Sequence, residues 1–297
     1  DGEEGADLEE LEKKIKAAFG PGDIDTESFI VLWTGNRTQQ KLVTKLFEDA
    51  KQKIPAAHWL ALLGDERLGR WKHSEVLRTL SKYTGREIGL AWIKEALLDR
   101  RYTDYVSGWL TEGMLKGDDL DVEWVKGLVM RPRLREMALE VLGNPKLVEP
   151  KRIGLPWLLA MVRQADESLH RFAHRYMLEH FAPADFGAGA EGSAAAAGLD
   201  KLWSLAAGAD EPETVRTFAA TYLRVHHPTL GPTMQESKDF GVKPRLHHKD
   251  YALARVRPLF EDGRADVRKL PLWPPVRWLA ASLYTCPRPC PAAIATA

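Results

Sequence analysis

The chain has 297 residues, of which 44% are hydrophobic and 28% are charged, so it can bury a sizeable core and expose an ordinary charged surface. Lysine plus arginine and aspartate plus glutamate number 42 each, which leaves no net charge to attract nucleic acid or an anionic membrane. The longest apolar run, residues 153–162, is about half of the ~20 residues that a membrane span needs, and no signal-peptide core follows the first residue. We therefore expect a cytoplasmic protein that makes no contact with a membrane.

Residues 1–22 are predicted to form an amphipathic helix and a linker. Apolar residues recur three or four positions apart among glutamates and lysines, which favours one narrow apolar face: Leu8, Leu11, Ile15 and Phe19. Gly20-Pro21-Gly22 ends this pattern. At the other end, residues 271–297 are predicted to be a disordered tail, because six prolines fall within their first 21 positions.

Residues 25–144 are predicted to form short helices with clear start and stop signals. Pro55 begins one helix, which Gly64-Asp65 ends, and Asp121 begins another. A longer helix is expected after Gly85-Arg86, where apolar residues keep helical spacing at Ile88, Trp92, Ile93 and Leu97. Strand-like alternation is nearly absent. The predicted fold class is therefore all-α.

A recurring helix motif is the clearest signal in the chain. In this motif an apolar residue is followed directly by Arg or His, by Ala four positions later and by a second apolar residue eight positions later. The complete copies are Leu134-Arg135-x-x-Ala138, Leu169-His170-x-x-Ala173 and Val215-Arg216-x-x-Ala219, and a shortened copy is Asp266-Val267-Arg268. Residues 153–163 are predicted to be a first helix that pairs with a second one at 169–181. Neither helix can bury its apolar face alone, so neighbouring pairs are expected to stack. Residues 182–198, rich in alanine and glycine, are predicted to be a mobile loop.

This motif, preceded by an apolar helix and a short polar turn, resembles the second helix of a HEAT-like (armadillo-type) repeat. Residues 253–268 are also similar to the repeat arrays of very large bacterial proteins, some of which carry a WGR module, although no Trp-Gly-Arg occurs here. The resemblance implies a right-handed α-solenoid of stacked HEAT-like helical hairpins over residues 23–270, with the clearest match at 130–270. It implies no catalytic residues.

We expect no catalytic residue, no cofactor and no metal. The chain lacks Gly-x-Ser-x-Gly, a phosphate-binding loop and His-Glu-x-x-His. His170 and His174 share one helix face, and histidines at 226–227 and 247–248 bracket an irregular segment, but a zinc site needs at least a third correctly placed ligand. We interpret His174 as a solvated helix residue, and His226 as a solvated loop residue or a cation at a helix C-terminus.

The expected partner surface combines basic and aromatic side chains. If successive repeats turned five arginines towards one concave face, these would form a phosphate-binding strip: Arg131, Arg133, Arg135, Arg171 and Arg175. Acidic residues lie nearby in the sequence, so the same arginines also fit ordinary solvated helix faces. Trp71, which is flanked by charges, is expected to be exposed, while the sequence leaves the burial of Trp109 open. The core is expected to contain Trp33, Trp59, Trp92, Trp124, Trp157 and Trp203.

The favoured function is a non-catalytic scaffold whose concave surface or loops bind a protein or another macromolecule. The alternative is a nucleic-acid-binding HEAT-like protein, which as an enzyme would be of the DNA-repair glycosylase type. The resemblance implies it, because one HEAT-like family excises alkylated bases with exposed tryptophans and an aspartate. Here the candidate pairs would be Trp109 with Asp104, or Trp71 with Asp65.

Overall fold

The computed structural model describes Lys13 and residues 18–226, apart from the side chains of Arg70 and Trp71. In these residues the chain forms fifteen α-helices, two short 3-10 helices and no strand, which confirms the predicted all-α class. None of the described helices is long and apolar enough to cross a bilayer. The chain divides into two compact units, residues 1–149 and 150–297. Most of the predicted N-terminal helix, the shortened motif at 266–268 and the tail at 271–297 lie outside the described residues.

The first unit consists of helices that pack in consecutive pairs. They are α1 (Thr26–Thr34), α2 (Arg37–Asp49), α3 (Ala56–Leu63), α4 (Arg70–Leu80), α5 (Gly85–Ile88), α6 (Leu90–Leu98), α7 (Thr103–Thr111), α8 (Val122–Val129) and α9 (Arg135–Gly143). The pairs in contact are α1 with α2, α3 with α4, α6 with α7 and α8 with α9. Contacts between pairs join α1 to α3 and α7 to α9. Each helix therefore buries its apolar face against a neighbour in the chain or in the next pair.

The second unit repeats this order. Its described helices are α10 (Pro150–Ile153), α11 (Leu155–Val162), α12 (Glu167–His180), α13 (Pro183–Phe186), α14 (Ala194–Ala207) and α15 (Glu213–Val225). The paired helices are α11 with α12 and α14 with α15, and α15 also contacts α11 and α12. Asp166 caps the N-terminus of α12, since its carboxylate accepts a bond from the Ser168 N–H at 3.0 Å.

One buried apolar residue marks the start of successive helix pairs. These residues are Ile54, Ile88, Leu120 and Ile153, and each lies two positions before the first residue of the first helix of a pair. They are 32 to 34 residues apart in the sequence. All four side chains are buried. A helical turn of three or four residues leads into the pair at 85–88, 117–119, 150–153 and 183–186. The regular spacing thus begins well before residue 130, where the motif in the sequence becomes clear.

The recurring motif supplies the core of the second helices. Its three complete copies lie on α9, α12 and α15, and all nine apolar and alanine positions are buried: Leu134, Ala138, Leu142, Leu169, Ala173, Met177, Val215, Ala219 and Leu223. Positions four residues apart share one face of a helix, so each copy forms one continuous buried strip. The first unit places Tyr102, Val106 and Leu110 in the same way on α7.

Glycine separates two short helices from the longer helices that follow them, and it interrupts the helix predicted after Gly85-Arg86. Gly89 separates α5 from α6 with a φ of 93°, and Gly154 separates α10 from α11 with a φ of 81°. This left-handed conformation costs glycine little and strains other residues, so the chain turns there without losing its apolar pattern. The local sequences correspond, with Ile-Gly-Leu-x-Trp at 88–92 and at 153–157.

The prediction of a mobile loop over residues 182–198 is wrong. This stretch contains α13 and the first turn of α14, and only residues 187–193 lie between the helices. A Cβ atom at Gly198 would overlap the carbonyl oxygen of Pro183, because the two helices approach each other too closely for a side chain. The small residues therefore allow tight packing of α13 against α14.

The tryptophans are less buried than the sequence suggests. Of the six that we expected in the core, Trp59 is buried, and its Nε1 donates to the Tyr83 hydroxyl at 2.9 Å. The other five are half-buried: Trp33, Trp92, Trp124, Trp157 and Trp203. Helical spacing selects the correct face, but a ring at the edge of that face keeps one side in solvent.

Gly198→Ala is expected to lower the free energy of unfolding by about 1–3 kcal/mol, because the added methyl group must displace the backbone of α13. The matched control is Gly127→Ala in α8, where a Cβ meets open space. That change is expected to raise stability by about 0.5–1 kcal/mol through helix propensity. Urea titrations followed by circular dichroism measure both changes, and equal stabilisation by the two variants would contradict the close approach.

Candidate functional site: an arginine-lined cavity

Three turns of the first unit share one backbone geometry. They join α3 to α4, α6 to α7 and α8 to α9. In each turn, the backbone N–H of one residue donates to the carbonyl three positions earlier, and the carbonyl of the same residue accepts a bond from the N–H three positions later. The three sets are Leu62, Asp65 and Leu68; Ala96, Asp99 and Tyr102; and Leu128, Arg131 and Leu134, with N···O distances of 2.9–3.1 Å. The last residue of each set is buried and anchors the turn.

Two of these turns neutralise their own charge through an Asp-x-Arg sequence. Asp65 accepts bonds from the Arg67 backbone N–H at 2.9 Å, from its Nε at 2.8 Å and from its Nη2 at 2.8 Å. The Arg67 guanidinium thereby lowers the pKa of Asp65 to about 2. Asp99 and Arg101 form the same bonds, with N–H to Oδ1 at 2.9 Å and Nη2 to Oδ2 at 2.6 Å, and the pKa of Asp99 is lowered for the same reason.

The third turn, residues 131–133, has the sequence Arg-Pro-Arg. Arg131 stands where the other two turns have aspartate, so Arg133 has no carboxylate within its own turn. Both arginines line a cavity of about 570 Å³ together with Arg100, the middle residue of the preceding Asp-x-Arg turn. All three arginines are exposed, and none forms an ion pair with a carboxylate among the described residues. We call this space the arginine cavity.

The arginine cavity combines positive charge with apolar surface. One carboxylate, Asp104, lines it beside the three arginines, together with Leu97, Leu98, Thr103, Pro132 and Leu134. The Leu98 side chain is 52% exposed, and Met130, which precedes Arg131 in the chain, is 55% exposed. Leu98 and Met130 occupy corresponding positions, each directly before the first residue of its turn. The arrangement can hold an anion and cover an apolar side chain at the same time.

Of the five arginines expected at a partner surface, Arg131 and Arg133 lie at this cavity. Arg135 does not, because its Nε donates to the Val129 carbonyl at 3.1 Å, where the side chain is half-buried at the end of α8. Arg171 and Arg175 are exposed on α12 in the second unit, where Arg171 Nη1 lies 3.8 Å from a Glu167 carboxylate oxygen. The sequence prediction missed Arg100, which corresponds to Glu66 in the turn at 65–67, so no repeated spacing singles it out.

Trp109 does not present its ring on the surface. It is 5% exposed in α7, and its ring stacks on Trp92 with centroids 6.3 Å apart. The proposed pairing of an exposed Trp109 with Asp104 is therefore wrong. The Trp71 side chain lies outside the described residues, and its proposed partner Asp65 is held by Arg67. The glycosylase-type arrangement thus has no support at either pair.

A second cavity, of about 500 Å³, lies in the second unit between the first turns of α12 and α15. Its lining consists of Glu167, His170, Arg171, His174, Glu213, Thr214 and Thr217. His174 is buried, which corrects the expectation of a solvated residue, and its ring meets Phe218 edge to face at 5.4 Å. Burial, together with a smaller effect of the neighbouring His170, lowers the pKa of His174 to about 4.

The described residues contain no group of three or more His, Cys, Asp or Glu side chains that could hold a metal ion. His226, expected in solvent or at a helix end, caps the C-terminus of α15 but is buried, with its Nε2 at 3.1 Å from the Leu178 carbonyl oxygen. His227, His247 and His248 lie outside the described residues.

His174 is expected to make the protein less stable in mild acid. Because its pKa is about 4 when folded and about 6.5 when unfolded, the unfolded state takes up the proton first, and stability falls as the pH drops from about 6.5 to about 4. The loss would reach about 2–3 kcal/mol. Urea titrations at several pH values should show a smaller loss for His174→Leu than for the unmodified chain. An identical pH dependence of the two proteins would contradict this.

No protein-family model, curated protein or solved structure matches this chain.

Proposed function

We propose that this protein is a non-catalytic helical-repeat scaffold that binds a partner protein at the arginine cavity. Two observations support a repeat of the HEAT-like type. Helix pairs follow one another in each unit, and the buried residues that precede them are 32 to 34 positions apart. Stacking of such pairs into a right-handed α-solenoid would extend this local order and leave the turns at one edge free for binding.

The observation that carries the proposal is the unbalanced charge of the arginine cavity. Three exposed arginines line it with one carboxylate, whereas Arg67 and Arg101 are each paired with the aspartate of their own turn. Arginine and methionine are enriched at protein interfaces, and arginine is among the residues that contribute most to binding. Exposed Leu98 and Met130 next to these charges favour a protein over a nucleic acid, whose backbone requires a longer basic groove.

The carboxylates of the described chain favour a non-catalytic role. Those with a pKa away from the ordinary value are all lowered by helix caps or ion pairs: Asp25, Asp65, Glu87, Asp99 and Asp121. A general base works best with a pKa near the working pH, and these partners move the carboxylates away from it. Their interactions stabilise helix ends and turns.

A photocrosslinking amino acid placed at position 98 should join the protein to one partner protein in its native cells. The matched control is position 31, because Val31 lies on α1 of the same unit and is 48% exposed, compared with 52% for Leu98. We expect an adduct from position 98 that is absent from position 31, with mass spectrometry identifying the partner. Identical adducts from both positions, or an adduct that a nuclease removes, would overturn the proposal.

A further inference from the structure

We propose that the turn at residues 131–133 receives a carboxylate from an acidic segment of the partner, in the place that aspartate fills in the two other turns. The inference rests on the proposed function and specifies the chemistry of the partner. Arg133 is the main receptor for this carboxylate, and Arg131 and Arg100 attract the acidic residues on either side of it.

The three turns share one backbone geometry. In the Asp-x-Arg turns this backbone geometry places a carboxylate within hydrogen-bond distance of the third residue. The backbone N–H and the guanidinium of the third residue both donate to it, as Arg67 does to Asp65 and Arg101 does to Asp99. Arg133 is the third residue of a turn with the same two backbone bonds, and its side chain lines the cavity, so its N–H and guanidinium are available to a carboxylate from outside the turn. Arginine binds carboxylates best in this forked manner.

The charge of the site sets the composition of the ligand. Replacing an aspartate by Arg131 changes the turn by two positive charges, and Arg100 adds a third cation to the same cavity. One carboxylate on Arg133 would leave two cations exposed, while Asp104 can offset only one of them. A ligand with several acidic residues in sequence therefore complements the cavity better than a single acid.

The apolar residues distinguish a peptide from a simple anion. Leu98 and Met130 hold corresponding positions beside two successive turns, and more than half of each side chain is exposed. A free phosphate would neutralise arginine without covering either side chain. An acidic segment that carries an apolar side chain would do both, and the burial of this surface would add to its affinity.

The probe that tests this inference is a capped, fluorescein-labelled peptide of glutamates with one central leucine. Fluorescence anisotropy would measure its binding, with a matched peptide of glutamines as the ligand control. Arg131→Asp restores the Asp-x-Arg sequence, so Arg133 would pair within its own turn and the protein would remain folded. We expect the affinity for the acidic peptide to fall by at least about tenfold in this variant. Arg133→Gln should have a similar effect without adding an acid.

The matched protein control is Arg37→Asp, which makes the same change of charge at the exposed first residue of α2, where an acid suits the helix N-terminus. It should reduce the affinity by less than about twofold. An equal loss in Arg37→Asp and Arg131→Asp would overturn the inference, as would equal binding of the glutamine peptide or competition by inorganic phosphate as effective as that by unlabelled acidic peptide. Thermal unfolding by circular dichroism checks that all variants are folded.

The two proposals can fail separately. If position 98 crosslinks a specific partner protein but the acidic peptide does not bind, the carboxylate site is wrong and the scaffold proposal stands. If neither experiment shows binding, both are wrong.

Discussion

The structure depends on the mutual burial of short helices. The helices that form pairs have 8 to 14 residues, which is too short for stability in water on their own, so each must place an apolar face against a neighbour. The strips with small or apolar residues at every fourth position meet this need in α7, α9, α12 and α15. Burial of each large side chain in such a strip contributes on the order of 1.5–3 kcal/mol, partly offset by the entropy lost on ordering the chain. Packing therefore determines where the helices end and the turns begin.

The backbone conformation of three turns in the first unit is held by this packing. Their two backbone bonds and the buried anchors Leu68, Tyr102 and Leu134 do not involve the side chains at the first and third positions of the turn. Those side chains can therefore differ without changing the backbone, and they do. In the turns at 65–67 and 99–101 these side chains form an ion pair with each other, whereas in the turn at 131–133 both are arginines that line the cavity.

Much of the local structure could be predicted from the sequence. The all-α class, the caps at Asp121 and Asp166 and the buried positions of the recurring motif follow from periodicity and capping chemistry, which act over a few residues. The breaks at Gly89 and Gly154 could have been found by comparing the two Ile-Gly-Leu-x-Trp segments. The packing of residues 182–198 could not, because alanine and glycine are common both in loops and where backbones approach closely. The cavity was half predicted, through Arg131 and Arg133, while the involvement of Arg100 depends on two turns being adjacent in space.

The separation of backbone from side chains in the turns has a consequence for how such a protein can change. The two Asp-x-Arg turns and the turn at 131–133 share their backbone bonds but differ in side chains, because Arg131 replaces the aspartate and Pro132 is the middle residue. Specificity at this edge could thus be acquired, altered or removed one turn at a time, while the helices on both sides keep their sequence. Under the proposed function, the turn at 131–133 would bind the partner, while Arg67 and Arg101 would stay paired within their own turns.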